Sequence, residues 1–159
     1  MLKKVVLLTC SVAVLALSVP GMASAQDEWL ELLRSDLKAE KVALLTEAMQ
    51  FTSEEGDVFW PIYREYDLEL SKIGDARIAL IKDYAASYDS MTDEKAKELA
   101  DRSFKLEEQT LKLRKDYYKK VAKALNSSEA ARFMQVERQI GLLIDLQIAS
   151  ELPLVKKAK

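Results

Sequence analysis

The sequence predicts an all-α protein built from four long helices, and three observations carry that prediction. Chain breakers are scarce: beyond residue 25 the only glycines are Gly56, Gly74 and Gly141, and the only prolines are Pro61 and Pro153. Ala, Leu, Glu and Lys, all strong helix formers, dominate throughout. No stretch alternates Val, Ile or Thr with polar residues, so the two-residue period of a strand is missing, while apolar residues recur at three- and four-residue spacing. These features suit either a closed bundle or an open, curved assembly, and a dimer is compatible with both.

Residues 1–25 read as a secretory signal peptide. Lys3 and Lys4 form the positive start, Val5 to Val19 the apolar core, Pro20 and Gly21 the break, and Ala23-Ser24-Ala25 the small-residue cleavage site. The apolar run is too short for a membrane span. Thr9 precedes Cys10 and most of the apolar core follows it, which argues against a lipid-attachment signal. The expected organisation is therefore a signal at 1–25, one helical domain at 26–155 and a basic tail at 156–159, with the working protein in the periplasm.

The first helix is expected over roughly 28–49, carrying Leu30, Leu33, Leu37, Leu44, Leu45 and Ala48, with Ser35-Asp36 as a point where it can break. The second follows Thr52, whose side chain can cap it while Glu55, three residues on, reaches back. Its apolar stripe runs Phe59, Ile62, Tyr66, Leu70, Ile73, Leu80, Ile81, Tyr84 and Tyr88. Pro61 predicts a kink, or a short turn before the main helix. Thr92 caps the third helix, which runs to about Leu125 on the stripe Leu99, Leu106, Leu113, Tyr117, Val121 and Leu125. Asn126, with Glu129 three residues later, starts the fourth, which carries Phe133, Val136, Ile140, Leu143 and Ile148 and ends before Pro153. Between Ile140 and Ile148 this helix has almost no polar face, so it is expected to be buried by several neighbours or by a second chain. The third helix has a narrow seam and abundant charge, and is expected to lie largely in water.

Composition narrows the function classes. Without the signal the chain has 22 basic and 26 acidic residues, and 19 against 26 over residues 26–155, which disfavours a polyanion or nucleic-acid partner. It has no histidine, and its one cysteine is Cys10. Haem and di-iron helical bundles draw on histidine, so no cofactor or metal is expected. Glu65 with Glu69, and Glu94 with Glu98, stand one turn apart but suit surface ion pairs better than a cation site. A nucleophile would lack a histidine or cysteine partner, and no glycine-rich turn positions one, so an enzyme is not expected.

Two helix starts echo one another. Phe51-Thr52-Ser53-Glu54-Glu55 and Leu125-Asn126-Ser127-Ser128-Glu129 each place an apolar residue, a cap, two spacers and an acid in order, with Phe59 and Phe133 eight positions after the first residue. Paired capping motifs alone account for this pattern. The pentads also resemble degenerate copies of the L-T-x-x-Q motif that the Spy and CpxP family of small, exported, all-helical periplasmic proteins carries twice. The first copy has Phe51 for leucine, keeps Thr52 and has Glu55 for glutamine; the second keeps Leu125 and has Asn126 and Glu129 for threonine and glutamine. The resemblance covers roughly residues 44–150 and implies an ATP-independent chaperone, an envelope-stress modulator or a sensor.

A chaperone reading also has a basis in the third helix. Lys112, Lys115 and Lys119 follow one face, with Tyr118 among them, a basic and partly apolar surface able to hold unfolded or partner proteins weakly. The same pattern suits a solvated face, because cations favour a helix C-terminus. Trp60, Tyr63 and Tyr66 beside Phe59 fit core positions better than a contact patch. The second reading is a structural or regulatory partner-binding protein, a homodimer included, that uses the apolar fourth helix.

Overall fold

The computed structural model describes residues 39–156, so the signal segment, the first half of the first predicted helix (28–38) and residues 157–159 lie outside the described residues. Residues Glu40–Lys159 form one compact unit. Its helices are α1 (39–49), α2 (Ser53–Ser87), α3 (Asp93–Ala124) and α4 (Ser127–Glu151), with a single 3-10 turn at Tyr88–Ser90 between α2 and α3. There is no strand among the described residues, and the fold is all-α.

The starts of α2, α3 and α4 are capped locally. Thr52 accepts a hydrogen bond from the Glu55 amide while Glu55 accepts one from the Thr52 amide, closing the full box. Thr92 accepts from the Lys95 amide and Asn126 from the Glu129 amide. The fourth helix differs from expectation in its cap: only the Asn126 half of the reciprocal pair forms, and Oε2 of Glu129 is turned into the protein. Pro61 neither breaks α2 nor is preceded by a separate turn. The helix is continuous through it, because Pro61 and Asp57 both lie on the exposed face, where solvent can serve the carbonyl that loses its partner.

Side-chain pairs fix the packing. Lys95 and Arg102 of α3 reach Asp83 late in α2, whereas Lys120 reaches Glu65 early in it, so these two helices run antiparallel. Helix α4 runs in the direction of α2: the Phe133 ring lies 5.1 Å from Phe59, Arg77 pairs with Asp145 at 2.5 Å, and the Tyr84 hydroxyl donates to the Pro153 carbonyl at 2.7 Å. Helix α1 docks beside the early part of α2 and α4 by burying Leu45 and Met49. It turns into α2 through Gln50, which holds the left-handed φ of 50°.

The core is concentrated at this end. Leu45, Met49, Phe59, Tyr63, Tyr66, Tyr117, Val121, Ala130 and Phe133 form one cluster, and Phe51, Trp60, Leu113 and Leu125 pack around it. Rings meet mostly edge to face, as at Phe59–Phe133 and Tyr66–Tyr117, the arrangement ring quadrupoles favour. Outside this cluster Leu99 is the only buried apolar side chain among the described residues. The expectation that neighbours bury α4 is corrected accordingly: Leu143 and Leu146 are each 69 % exposed, and Leu142 and Ile144 are exposed beside them, since no described helix lies over that face.

Candidate binding surface and buried charge cluster

The predicted basic face on α3 is exposed. Lys112, Lys115 and Lys119 all lie at the surface, while Tyr118 is half-buried against the core cluster. Lys112 is committed to Asp116 one turn on, at 2.7 Å, and this bond, with Lys119 and Lys120 nearby, holds the Asp116 carboxyl below the usual range. Lys120 lies 4.2 Å over the Tyr117 ring and 3.2 Å from Glu65, which raises its hold on the proton. Between α2 and α3 a shallow groove of about 330 Å³ is lined by Ile73 and Leu113 with Glu69, Lys72 and Lys112 at its edges.

The sequence reading missed the apolar part of this surface. Phe104 and Leu111 are 62 % and 53 % exposed, and seven-residue spacing puts Phe104, Leu111 and Tyr118 in one stripe along α3, with Lys115 between the last two. Phe104 and Leu111 fall outside the seam that faces the core and sit among charges, so a search for core periodicity passes over them. Their own phase on the helix is the signal that could have found them.

The six motif residues converge on the end of the unit that holds the core. The Phe51 ring lies 4.7 Å from Phe59, and Leu125 packs against the same cluster, while Thr52, Glu55, Asn126 and Glu129 occupy the two helix starts just described. The two pentads are thus brought to a shared aromatic core, and what the structure gives each is a capping role plus one apolar anchor.

Beside that core lies a charge cluster assembled from all four helices. Lys41 of α1 stands 3.1 Å from Glu137 of α4 and 3.9 Å from Asp67 of α2. Its ammonium also sits 5.7 Å from the Tyr63 ring and 5.6 Å from the Tyr66 ring. Glu137 is 2 % exposed, and its Oε1 has no hydrogen-bond partner; Nε of Arg114 and the hydroxyls of Tyr63 and Tyr66 are buried and likewise unbonded. Gly141 makes room for Arg114, whose guanidinium would lie 3.1 Å from a Cβ placed there. Burial pushes the Glu137 carboxyl above its ordinary range against the opposing pull of Lys41 and Arg114. Burial, with the Glu137 charge behind it, pushes both tyrosine hydroxyls up as well.

The carboxylate pairs read as surface ion pairs are largely that. Glu69 bonds Lys72, Glu65 bonds Lys120, and Glu98 bonds Lys95 and Arg102. No group of three or more histidine, cysteine, aspartate or glutamate side chains among the described residues is placed to hold a metal ion. No described helix is long and apolar enough to cross a membrane. No family model, curated protein or solved structure matches the chain.

Proposed function

We propose that this chain is an exported, non-catalytic protein of the periplasm that holds exposed segments of unfolded or partner proteins without nucleotide or cofactor, as its resemblance to the Spy and CpxP family implies. The observation that supports this reading best is the pairing of exposed Phe104 and Leu111 with Lys112, Lys115 and Lys119 on one charge-rich helix. Such a surface gives weak, salt-sensitive attraction to acidic stretches plus small apolar contacts, and weak contacts allow release without ATP. The test is suppression of aggregation of a chemically unfolded client by residues 26–159 without ATP. The parent suppresses it, whereas Phe104→Ser with Leu111→Ser, and separately a triple Lys→Glu change at 112, 115 and 119, lose most of the effect with helicity unchanged. Absence of suppression at several-fold excess rejects the reading.

A second reading rests on a different surface. Leu142, Leu143 and Leu146 are exposed on α4, and a dedicated partner or a second copy would bury them. Sedimentation of the parent and of Leu143→Glu with Leu146→Glu separates the cases: a dimer dissociated by the change supports the self-associating form, and a parent monomer at all concentrations removes it.

A further inference from the structure

We propose that Glu137 is a proton-linked latch for α1: uptake of a solvent proton by its buried carboxyl favours the docked helix, and its ionisation favours release of residues 40–49 about Gln50. The inference is independent of which surface binds partners.

The geometry supplies each part of the device. Helix α1 has one polar tie to α4 among the described ion pairs, Lys41 to Glu137, and two buried apolar anchors, Leu45 and Met49. Its connection to α2 is the short segment Gln50–Thr52, and Gln50 holds a left-handed conformation that costs a non-glycine residue about 1 kcal/mol or more. The described part of α1 is thus held to the core by Leu45 and Met49, by Val42 packed beside them and by the contacts of Lys41, next to a strained turn, and elements with few buried contacts are the ones that open first.

The charge environment sets the direction. Among the described residues, the titratable and charged groups around Glu137 are Lys41 from α1, Tyr63, Tyr66 and Asp67 from α2, and Arg114 from α3. Lys41 is divided between two carboxylates, at 3.1 and 3.9 Å, so it offsets only part of the cost of burying Glu137 in its charged form. That is why burial prevails and the docked carboxyl holds its proton more tightly than an exposed glutamate. When α1 leaves, Lys41 leaves with it and Glu137 gains water on that side, so its proton affinity returns toward the ordinary value. By linkage, docking is strongest below the ordinary glutamate range and is lost as pH rises through the docked value. After protonation Lys41 keeps Asp67 at 3.9 Å and the Tyr63 and Tyr66 rings as neighbours in the docked helix. Release uncovers the faces of Phe59, Tyr63 and Phe133 now packed in the cluster with Leu45 and Met49.

The experiment is amide hydrogen exchange by NMR on the full chain, with protection factors corrected for intrinsic rates, between about pH 4 and about pH 8. A tenfold tighter hold on the proton in the docked state becomes about a tenfold change in the docking constant. Protection over 45–49 is therefore expected to fall by up to about tenfold as pH rises, while amides around Phe133 in α4 change far less. Glu137→Gln, which imitates the protonated state, keeps α1 protected at both pH values, and Lys41→Met moves the transition to higher pH because the cation opposes protonation. The carboxyl carbon shift of Glu137 in the parent reports its titration without any substitution. A Glu137 titration at or below the ordinary glutamate value, or α1 protection that stays constant with pH, overturns the proposal.

Discussion

The two halves of this unit are both helical and differ sharply in what holds them. The half containing α1, the first turns of α2, the end of α3 and the start of α4 buries Leu45, Phe59, Tyr66, Val121 and Phe133 completely. The other half, from Leu68 through Phe104 and from Leu142 to Lys156, has Leu99 as its one buried apolar residue and is joined by polar bridges: Asp83 with Lys95 and Arg102, Arg77 with Asp145, and Lys156 with Asp89. The difference teaches that helix length and helix stability have separate sources. A long amphipathic helix can continue well past its core on propensity and surface pairing, and the surface it carries there is available for contact.

Breaking the comparison with core truncations should give the largest effect. Phe133→Ala removes a ring that meets Phe59, Tyr63 and Tyr66 and is expected to cost about 3–5 kcal/mol, and Leu45→Ala about 2–5 kcal/mol, whereas Leu143→Ser in the exposed half should stay within about 0.5 kcal/mol. Urea unfolding of the three variants checks this, and equal losses would mean that α4 is covered along its whole length. The caps come next. Thr52→Ala removes one partner of a reciprocal pair and Asn126→Ala the acceptor of a single bond, so each should cost about 0.5–2 kcal/mol, with Thr52 the larger in thermal melts.

The smallest effect is the sharpest in sign, because the halves should respond to acid in opposite directions. Hydrogen bonds from Lys95 and Arg102 hold the Asp83 carboxyl below its ordinary value of 3.8, so its contribution is present above that value and is lost as pH falls through the lower folded one. Glu137 is held above its ordinary value of 4.5, so its protonation adds stability that is complete below 4.5 and is lost as pH rises through the folded value. Residue-resolved exchange across the acid range should therefore show the Asp83 region loosening while α1 tightens.

The sequence by itself determined the three long helices α2, α3 and α4, the residues that cap them and most of the aromatic core. These depend on local spacing: Thr52, Thr92 and Asn126 are read as caps from their immediate neighbours, and Phe59, Tyr66, Tyr117, Val121 and Phe133 from helical period. Only the tertiary structure decided what covers what. The apolar run of α4 states that a helix wants burial, and nothing local states that α1 brings Lys41 to Glu137 or that no described helix continues over Leu143 and Leu146. Lys41, Asp67, Arg114 and Glu137 were illegible for the related reason that charged residues on amphipathic helices are ordinarily solvated. Their cluster exists because four separate helices bring them together, and burial, a property of the assembled fold, gives Glu137 its altered hold on a proton.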